Sequence, residues 1–173
     1  LMCWVMVDVE ADGPVPADFS MIALGAVIIE PSLSKKFYAR LKPVSCKWNP
    51  DALKVCGFTR EETLGFDDPG DVMKRFERWL HEKGGENLFF LSDNNGFDWQ
   101  FVNWYFYHFT GRNPFGFSSS NLLSLYLGLE HNMYCNFNHL RKRPHDHNPL
   151  HDALADAEVL LELRERFCLK MNF

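Results

Sequence analysis

An apolar run near the N-terminus, closed by two acids, determines the centre of the expected fold. Residues 2–9 are largely apolar and rich in Val, and Asp8 and Glu10 stand where the run ends. Such a run predicts a buried central strand. Alternate residues of a strand project to the same face, so Asp8 and Glu10 would present two carboxylates side by side. Because buried charges are costly unless they are paired or bind a metal, this position favours a functional role over a solvated strand end.

The rest of the pattern predicts further short strands mixed with helices. Three more strands are predicted, at 21–29, 36–44 and 87–92. Four helices are predicted, at 69–81, 97–109, 122–129 and from Pro149 onward. The first three strands are joined by short connections, which favours an antiparallel meander. Because 173 residues match one hydrophobic core, we expect a single α/β or α+β domain over residues 1–173.

The composition excludes several functional classes. Lys and Arg number 18 against 23 Asp and Glu, a net charge of −5, so the chain does not hold polyanions by bulk positive charge. A bound metal ion is the alternative source of positive charge. The five cysteines form no Cys-x-x-Cys pair, which argues against a disulfide framework and fits a reducing cytosol. No apolar run approaches the roughly 20 residues that span a bilayer, and we expect a cytoplasmic protein with no membrane partner.

Two further acids are candidates for the same site. Asp98 opens the predicted helix at 97–109, where a helix cap is the alternative role, and Asp156 lies among alanines on the buried side of the last helix. Together with Asp8 and Glu10 they would place four carboxylates on separate elements. Hard Mg²⁺ or Mn²⁺ ions take such oxygen ligands, and two ions about 3.5–4 Å apart clamp the attacking and leaving oxygens of a phosphodiester.

A histidine is the natural general base for that reaction, and two His-x₄-Asp pairs compete for the role. One pair is His151 with Asp156, and the other is His147 with Asp152. The capping sequence Asn-Pro at 148–149 begins the last helix between the two histidines. Only His151 and Asp156 then lie together on that helix, so this register is preferred and His147 is interpreted as a surface residue or a phosphate neighbour.

These residues resemble the motifs of the DEDDh 3′–5′ exonucleases, a family that includes ribonuclease T, oligoribonuclease and the proofreading subunit of bacterial DNA polymerase III. Val-Asp-Val-Glu at 7–10 and Leu-Gly-Ala-Val at 24–27 are similar to the first family motif. Asn-Asn-Gly-Phe-Asp at 94–98 resembles the second, and His-Asp-Ala-Leu-Ala-Asp-Ala at 151–157 matches the third. The segment 49–59 is similar to a further family stretch. The motifs occur in the family's order and cover nearly the whole chain.

The resemblance implies an α/β fold of the ribonuclease H-like type, with a mixed five-stranded sheet and helices on both faces. It implies a 3′–5′ exonuclease that uses two divalent ions, Mg²⁺ or Mn²⁺, to release nucleoside 5′-monophosphates from single-stranded DNA or RNA with a free 3′ end. The implied metal ligands and base are Asp8, Glu10, Asp98, Asp156 and His151. The alternative is a catalytically weak nucleic-acid-binding module within a larger polymerase, repair or defence complex. A homodimer is left open.

Five residues are expected to bind the substrate. Met21 and Ile22 match the position where family members wedge apolar side chains against terminal bases, and such stacking is worth roughly 1–3 kcal/mol per base. Asn94 belongs to the second motif. Arg141 and Arg143 belong to the only basic run, where phosphate contacts would give a shallow salt dependence.

The chain departs from the family pattern at three places. The usual Thr-Thr after the first motif is replaced by Ala11 and Asp12, which removes hydroxyls that would contact the terminal nucleotide. Asp93 stands where the family has a His before the second motif, and Cys56 replaces a His before Gly. These changes leave the expected metal site intact and alter recognition of the 3′ end.

Overall fold

The sheet is built outward from the apolar strand that carries Asp8 and Glu10. The computed structural model describes residues 2–173. Its strands are β1 (Cys3–Ala11), β2 (Met21–Ile28), β3 (Lys36–Arg40), β4 (Leu88–Ser92) and β5 (Ser119–Asn121). They lie in the order β3-β2-β1-β4-β5. β2 runs antiparallel to β1 and β3, whereas β4 runs parallel to β1 and β5. The sheet is therefore mixed and five-stranded, as predicted.

Six α-helices accompany the sheet, several of them with side-chain caps. They are α1 (Pro50–Cys56), α2 (Arg60–Leu64), α3 (Pro69–Gly84), α4 (Asn95–Thr110), α5 (Leu122–Leu129) and α6 (Pro149–Arg166). Asn148 caps α6 by accepting backbone N–H donors from Leu150 and His151, and Asp68 caps α3. Throughout residues 2–173, no helix is both long enough and apolar enough to cross a bilayer.

Helices cover both faces of the sheet, and β1 divides its side chains between them. Val5, Val7 and Val9 enter the core formed with α3 and α4. Met6, between them, enters the second core, which is formed with α5 and α6. Because side chains alternate along a strand, the even-numbered positions of β1 face α6. The two acids of β1 continue that even-numbered row.

The elements absent from the sequence-based prediction are short. α1 has seven residues, α2 has five and β5 has three, too few for a hydrophobic period to emerge. Their beginnings depend on local polar contacts instead: Asn49 caps α1, and Thr59 forms a capping box with Glu62 at the start of α2. β3 ends at Arg40, earlier than predicted.

Candidate active site

Two carboxylates of β1 meet a third from α6. Asp8, Glu10 and Asp152 each offer an oxygen atom, and these oxygens lie within 4.8 Å of one another. Glu10 and Asp152 are buried, and Asp8 is half-buried. The side-by-side placement of Asp8 and Glu10 agrees with the alternation of a strand.

The position of Asp152 follows from a close contact between α6 and β2. Gly25 pairs with Asp8 in the sheet. The space that a side chain at Gly25 would fill is taken by the backbone of Pro149 and Leu150, in the first turn of α6. The first turn of α6 is therefore seated on the sheet beside Asp8. Helical side chains lean toward the N-terminus of their helix, so Asp152, in that first turn, reaches the acids of β1.

Asp98, from α4, is attached to the same stretch of β1. It lies in the first turn of α4, is 3% exposed, and its Oδ1 accepts a hydrogen bond of 3.0 Å from the backbone N–H of Val9. This bond attaches Asp98 to the peptide between the two acids of β1. Burial raises the pKa of Asp98 to about 7, although the hydrogen bond from the Val9 N–H opposes the shift.

The acids crowd together without enough positive charge to balance them. Burial, followed by the charges of Asp98 and Glu10, raises the pKa of Asp8 well above its ordinary value. Burial also raises the pKa of Glu10, against hydrogen bonding from Cys56. Within the described part of the chain, the Oδ2 atoms of Asp8 and Asp152 are buried and accept no hydrogen bond. Unpartnered carboxylate oxygens that converge in this way fit a hard divalent cation such as Mg²⁺ or Mn²⁺.

Three of the acids, Asp8, Glu10 and Asp98, lie on the floor of an open cleft of about 480 Å³. Its lining is contributed by β1, α1, the start of α4 and the segment before α6: Asp8, Val9, Glu10, Ala11, Ala52, Val55, Cys56, Asp93, Asn94, Phe97, Asp98, Arg141, His145 and His147. This lining includes an apolar wall of Ala52, Val55 and Phe97 and a histidine wall of His145 and His147. A cleft of this size with a few converging polar groups is typical of a binding site.

Both histidines of that wall face the acids. His147 Nδ1 lies 3.5 Å from Glu10 Oε1, and His145 Nδ1 lies 3.0 Å from Asp152 Oδ1. Their rings are 4.4 Å apart. His147 has a φ of 58°, a left-handed conformation that is uncommon outside glycine and is often found at functional sites. The backbone of His147 is therefore strained at the point where its side chain lies beside the acidic cluster.

Comparison with known proteins agrees with this geometry. A family model described as exonuclease matches residues 5–163. The chain belongs to this exonuclease family. The 3′-5′ DNA exonuclease Cap18 of Escherichia coli is 39% identical over 168 residues, a match that covers 90% of this chain and 88% of that protein. Family and relative together identify the chain as a 3′–5′ exonuclease.

Solved structures of other nucleases share the fold of this exonuclease. Escherichia coli exonuclease I in complex with a dT13 oligonucleotide superposes with a TM-score of 0.74 at 16% identity, covering 96% of this chain and 42% of that one. Cell-death related nuclease 4 superposes with a TM-score of 0.76 at 16% identity, covering 95% and 64%. The chain therefore spans about two fifths of exonuclease I. The likeness confirms the predicted ribonuclease H-like architecture.

The two residues predicted from the last motif, Asp156 and His151, make other contacts in the structure. Asp156 is not one of the three converging acids and accepts a hydrogen bond from Arg141 at 2.6 Å. It nevertheless lies near the cluster, because its charge adds to burial in raising the pKa of Asp8 and of Asp98. The side chain of His151 is 54% exposed and contacts Asp146 at 2.8 Å. In this exonuclease His147 and His145 lie beside Glu10 and Asp152.

Met21 and Ile22 are also corrected. Both are 0% exposed, and the backbone N–H of Met21 donates to the Tyr105 hydroxyl at 2.8 Å. All eight residues of β2 are buried because the sheet is covered on both faces. Neither side chain reaches the cleft, so neither can stack on a base.

The remaining predicted substrate-binding residues differ in their surroundings. Asn94 is exposed and lines the cleft. Arg141 also lines it, but its guanidinium is held by Asp93 and Asp156. Arg143 pairs with Glu158 on the surface and does not line the cleft. Of the two arginines, neither offers an uncommitted charge to a phosphate.

The residues that depart from the family pattern make specific polar contacts in the structure. The thiol of Cys56, at the end of α1, is buried and donates to Glu10 Oε2 at 3.2 Å, and burial raises the pKa of this thiol. Asp12 is fully buried and pairs with Arg60 at 2.9 Å. Asp93 accepts from Arg141 at 3.0 Å. The signal for the second pair, His147 with Asp152, was present in the sequence as an equal His-x₄-Asp spacing.

Proposed function

We propose that this exonuclease removes nucleotides one at a time from the 3′ end of single-stranded DNA and releases nucleoside 5′-monophosphates. The observation that carries the proposal is the convergence of Asp8, Glu10 and Asp152 within 4.8 Å. Asp98, on the floor of the same cleft, completes the set of four acids that would hold two Mg²⁺ or Mn²⁺ ions. Two such ions, when bound, polarise the phosphodiester and stabilise the departing 3′-oxygen.

His147 is proposed as the general base. Its Nδ1 lies 3.5 Å from Glu10 Oε1, so the carboxylate can hold the proton on Nδ1 and leave Nε2 to accept the proton of the attacking water. Because His147 belongs to the segment before α6 rather than to the helix, it stands over the cleft. His151 faces solvent and has no such position.

The apolar wall is proposed to hold the terminal base. Val55 of α1 and Phe97 of α4 line the cleft, and Val55 is exposed there. Stacking on such side chains is tolerant of sequence, which suits an enzyme that degrades a strand stepwise. Single-stranded DNA is the proposed substrate because Cap18 is a DNA exonuclease and exonuclease I binds dT13 and dA16 oligonucleotides.

The polarity and substrate can be tested with matched oligonucleotides. Single-stranded DNA, single-stranded RNA and blunt duplex DNA are labelled at the 5′ end and incubated with Mg²⁺, Mn²⁺ or EDTA. We expect a ladder that shortens from the 3′ end of single-stranded DNA, with mononucleotide product and no cleavage in EDTA. Binding without cleavage in every metal would refute the proposal and favour the binding-module alternative; faster decay of RNA would overturn the proposed substrate.

The residue assignment is tested by comparing the two histidines. His147→Ala should lower the cleavage rate by about 10²–10⁴-fold, the usual contribution of a general base. His151→Ala should leave the rate within about twofold, because exposed pairs contribute little. Asp8→Asn should abolish cleavage. A larger loss in His151→Ala than in His147→Ala would refute this assignment and identify His151 as the base.

A further inference from the structure

Positive charge is concentrated in one stretch of this acidic chain. Residues 31–60 carry seven Lys and Arg and a single acid, whereas the remaining residues carry 11 Lys and Arg against 22 acids. The stretch forms β3, the loop after it and α1, and α1 supplies the apolar wall of the cleft with two of its residues. A polyanion is therefore attracted to this part of the surface although the whole chain is acidic.

Cations and one aromatic side chain alternate with less exposed residues along β3 and its continuation. Every second position is exposed: Lys36, Tyr38, Arg40 and Lys42. The extended chain continues past the end of β3, because Leu41 donates its backbone N–H to Ile22 of β2. Alternate side chains of a strand project to one side, and at about 3.3 Å per residue these four form a row about 20 Å long. We call this row the β3 stripe.

The cations of the β3 stripe are available to a ligand. Among residues 2–173, none of its three cations forms an ion pair with a carboxylate, whereas Lys35, which directly precedes the stripe, pairs with Glu30 at 3.0 Å. Exposed cations without a carboxylate partner are the groups that bind phosphates along a nucleic-acid backbone. The stripe therefore offers the uncommitted charge that the arginines at 141 and 143 do not.

A cavity of about 240 Å³ lies beside the stripe. Its lining includes the aromatic rings of Tyr38 and Phe66 together with Arg40, whose guanidinium lies 4.7 Å from the centre of the Phe66 ring. The acid of this lining, Asp67, is paired with Arg75 at 2.8 Å. Tyr38 is 40% exposed, so its ring is accessible to a base. Proteins that bind single strands combine an aromatic platform with neighbouring cations in this way.

The stripe lies on the sheet face that carries the acids of β1. Pairing across β2 places Arg40 in the same row as Glu10, with Ala23 between them. Residues paired across neighbouring strands project to the same face. Because neighbouring strands lie about 4.8 Å apart, the Cα atoms of Arg40 and Glu10 are about 10 Å apart. α6 begins over Gly25, one row away, and extends toward Val27, so the helix does not lie between the stripe and the cleft at this end of the sheet.

We propose that the β3 stripe binds the single strand on the 5′ side of the nucleotides held in the cleft, with Arg40 and Lys42 on phosphates and the Tyr38 ring stacked on a base. This inference rests on the proposed function, because it requires a single strand long enough to extend from the cleft to β3. It gives an acidic protein a local source of positive charge for a polyanionic substrate. It also means that affinity depends on the length of the strand.

The test measures the Kd of labelled single-stranded DNA by fluorescence anisotropy with Mg²⁺ in the Asp8→Asn background, in which cleavage is not expected. Because sites for single strands span about 4–16 nucleotides, oligonucleotides of about 3 and about 20 nucleotides are compared. The background protein should bind the longer one more tightly. The double variant Arg40→Ala/Lys42→Ala should narrow this difference, because the short oligonucleotide occupies the cleft alone.

The contributions of charge and of stacking are measured separately. In Arg40→Ala/Lys42→Ala, the plot of log affinity against log salt concentration should become shallower by about 1.4, at about 0.7 for each lost phosphate contact. Tyr38→Ala should weaken binding of the long oligonucleotide by about 5–100-fold, the equivalent of about 1–3 kcal/mol for one stacked base. Tyr38→Phe should keep the affinity, because it keeps the ring.

Lys35→Ala is the matched control, because it removes the same charge from the residue next to the stripe. Its affinity and salt dependence should equal those of the background protein, since the charge of Lys35 is already paired with Glu30. Melting temperatures of all variants are measured on the same samples. The substituted side chains are exposed, so we expect every variant to fold.

Three results would overturn the proposal. One is a salt dependence of Arg40→Ala/Lys42→Ala equal to that of Lys35→Ala, and another is equal affinity of Tyr38→Ala and Tyr38→Phe for the long oligonucleotide. The third is a loss of affinity that is the same for both lengths, since this would locate the defect in the cleft. The absence of cleavage by the wild-type enzyme in every metal would instead defeat the proposed function. The binding comparisons do not depend on the cleavage rate, so the two failures remain distinguishable.

Discussion

Replacing Gly25 with alanine tests the contact between β2 and α6 that brings Asp152 close to Asp8 and Glu10. A Cβ built on Gly25 would lie 2.2 Å from the carbonyl carbon of Pro149 and 2.3 Å from the backbone nitrogen of Leu150, where ordinary contacts begin at 3.4 Å. Both neighbours are backbone atoms, so no side chain can rotate away. The first turn of α6 must therefore retreat by about 1 Å, and it takes Asp152 with it.

The size of that displacement sets the expected effect. A misplacement of about 1 Å at a reacting group can cost about 100-fold in rate, so Gly25→Ala should lower the cleavage rate by about that factor. Forcing a methyl group into a filled contact should also reduce the free energy of unfolding by about 1–3 kcal/mol. The loss of cleavage rate should be larger than the loss expected from the small fraction of Gly25→Ala molecules that are unfolded.

The assay compares single-turnover cleavage of a 5′-labelled single-stranded oligonucleotide at saturating Mn²⁺, with thermal unfolding measured on the same samples. Gly128→Ala is the control, because a Cβ there meets nothing within 4 Å and lies within α5. Alanine favours a helix over glycine by about 1 kcal/mol, so this variant should be slightly more stable and equally active. A Gly25→Ala variant with wild-type rate and melting temperature would refute the close seating of α6 on β2.

Three further predictions concern other acids. Asp152→Asn should lower Mn²⁺ affinity by more than about 100-fold, which is more than the loss of a residue that only contacts a metal ligand. Asp156→Asn should lower it by no more than about tenfold. Calorimetric titration of both variants with Mn²⁺ measures the difference, and equal losses of affinity would contradict the geometry. The pKa of about 7 for Asp98, against about 3.9 when unfolded, means that the folded metal-free protein binds more protons between these values. Its free energy of unfolding should therefore fall as pH rises from about 4 to 7; urea titrations should show this slope weakened in Asp98→Asn, and an unchanged slope would contradict the shift. Asp12→Ala, which leaves Arg60 unpaired in a buried pair, should reduce the free energy of unfolding by about 3–5 kcal/mol; a loss below about 1 kcal/mol would show that the pair is dispensable.

The parts of the fold that are determined by residues close together in the sequence could be predicted from the sequence. The apolar run before Asp8 indicated a central strand, and the caps at Asp68 and Asn148 indicated the starts of α3 and α6. Each of these signals acts within a few residues, through side-chain alternation or through hydrogen bonds to the first helical turn. β5 could not be found in this way, because its three polar residues form a strand only by pairing with β4.

The buried state of Met21 and Ile22 shows a second limit. An apolar strand without alternation is compatible with one open face or with two covered faces, and the local pattern does not distinguish them. The choice depends on whether helices lie over both sides of the sheet. Here they do, so residues expected to touch a base are instead part of the core.

The sequence by itself determined the chemistry of the site: carboxylates side by side at Asp8 and Glu10, another acid at the start of α4, and a His-x₄-Asp pair near the start of α6. Which of the two pairs faces the acids was decided only in three dimensions. The absence of a side chain at Gly25 lets the first turn of α6 rest on β2, and that contact brings Asp152 beside Asp8 and Glu10. Because it joins residues more than a hundred positions apart, no local spacing could reveal it.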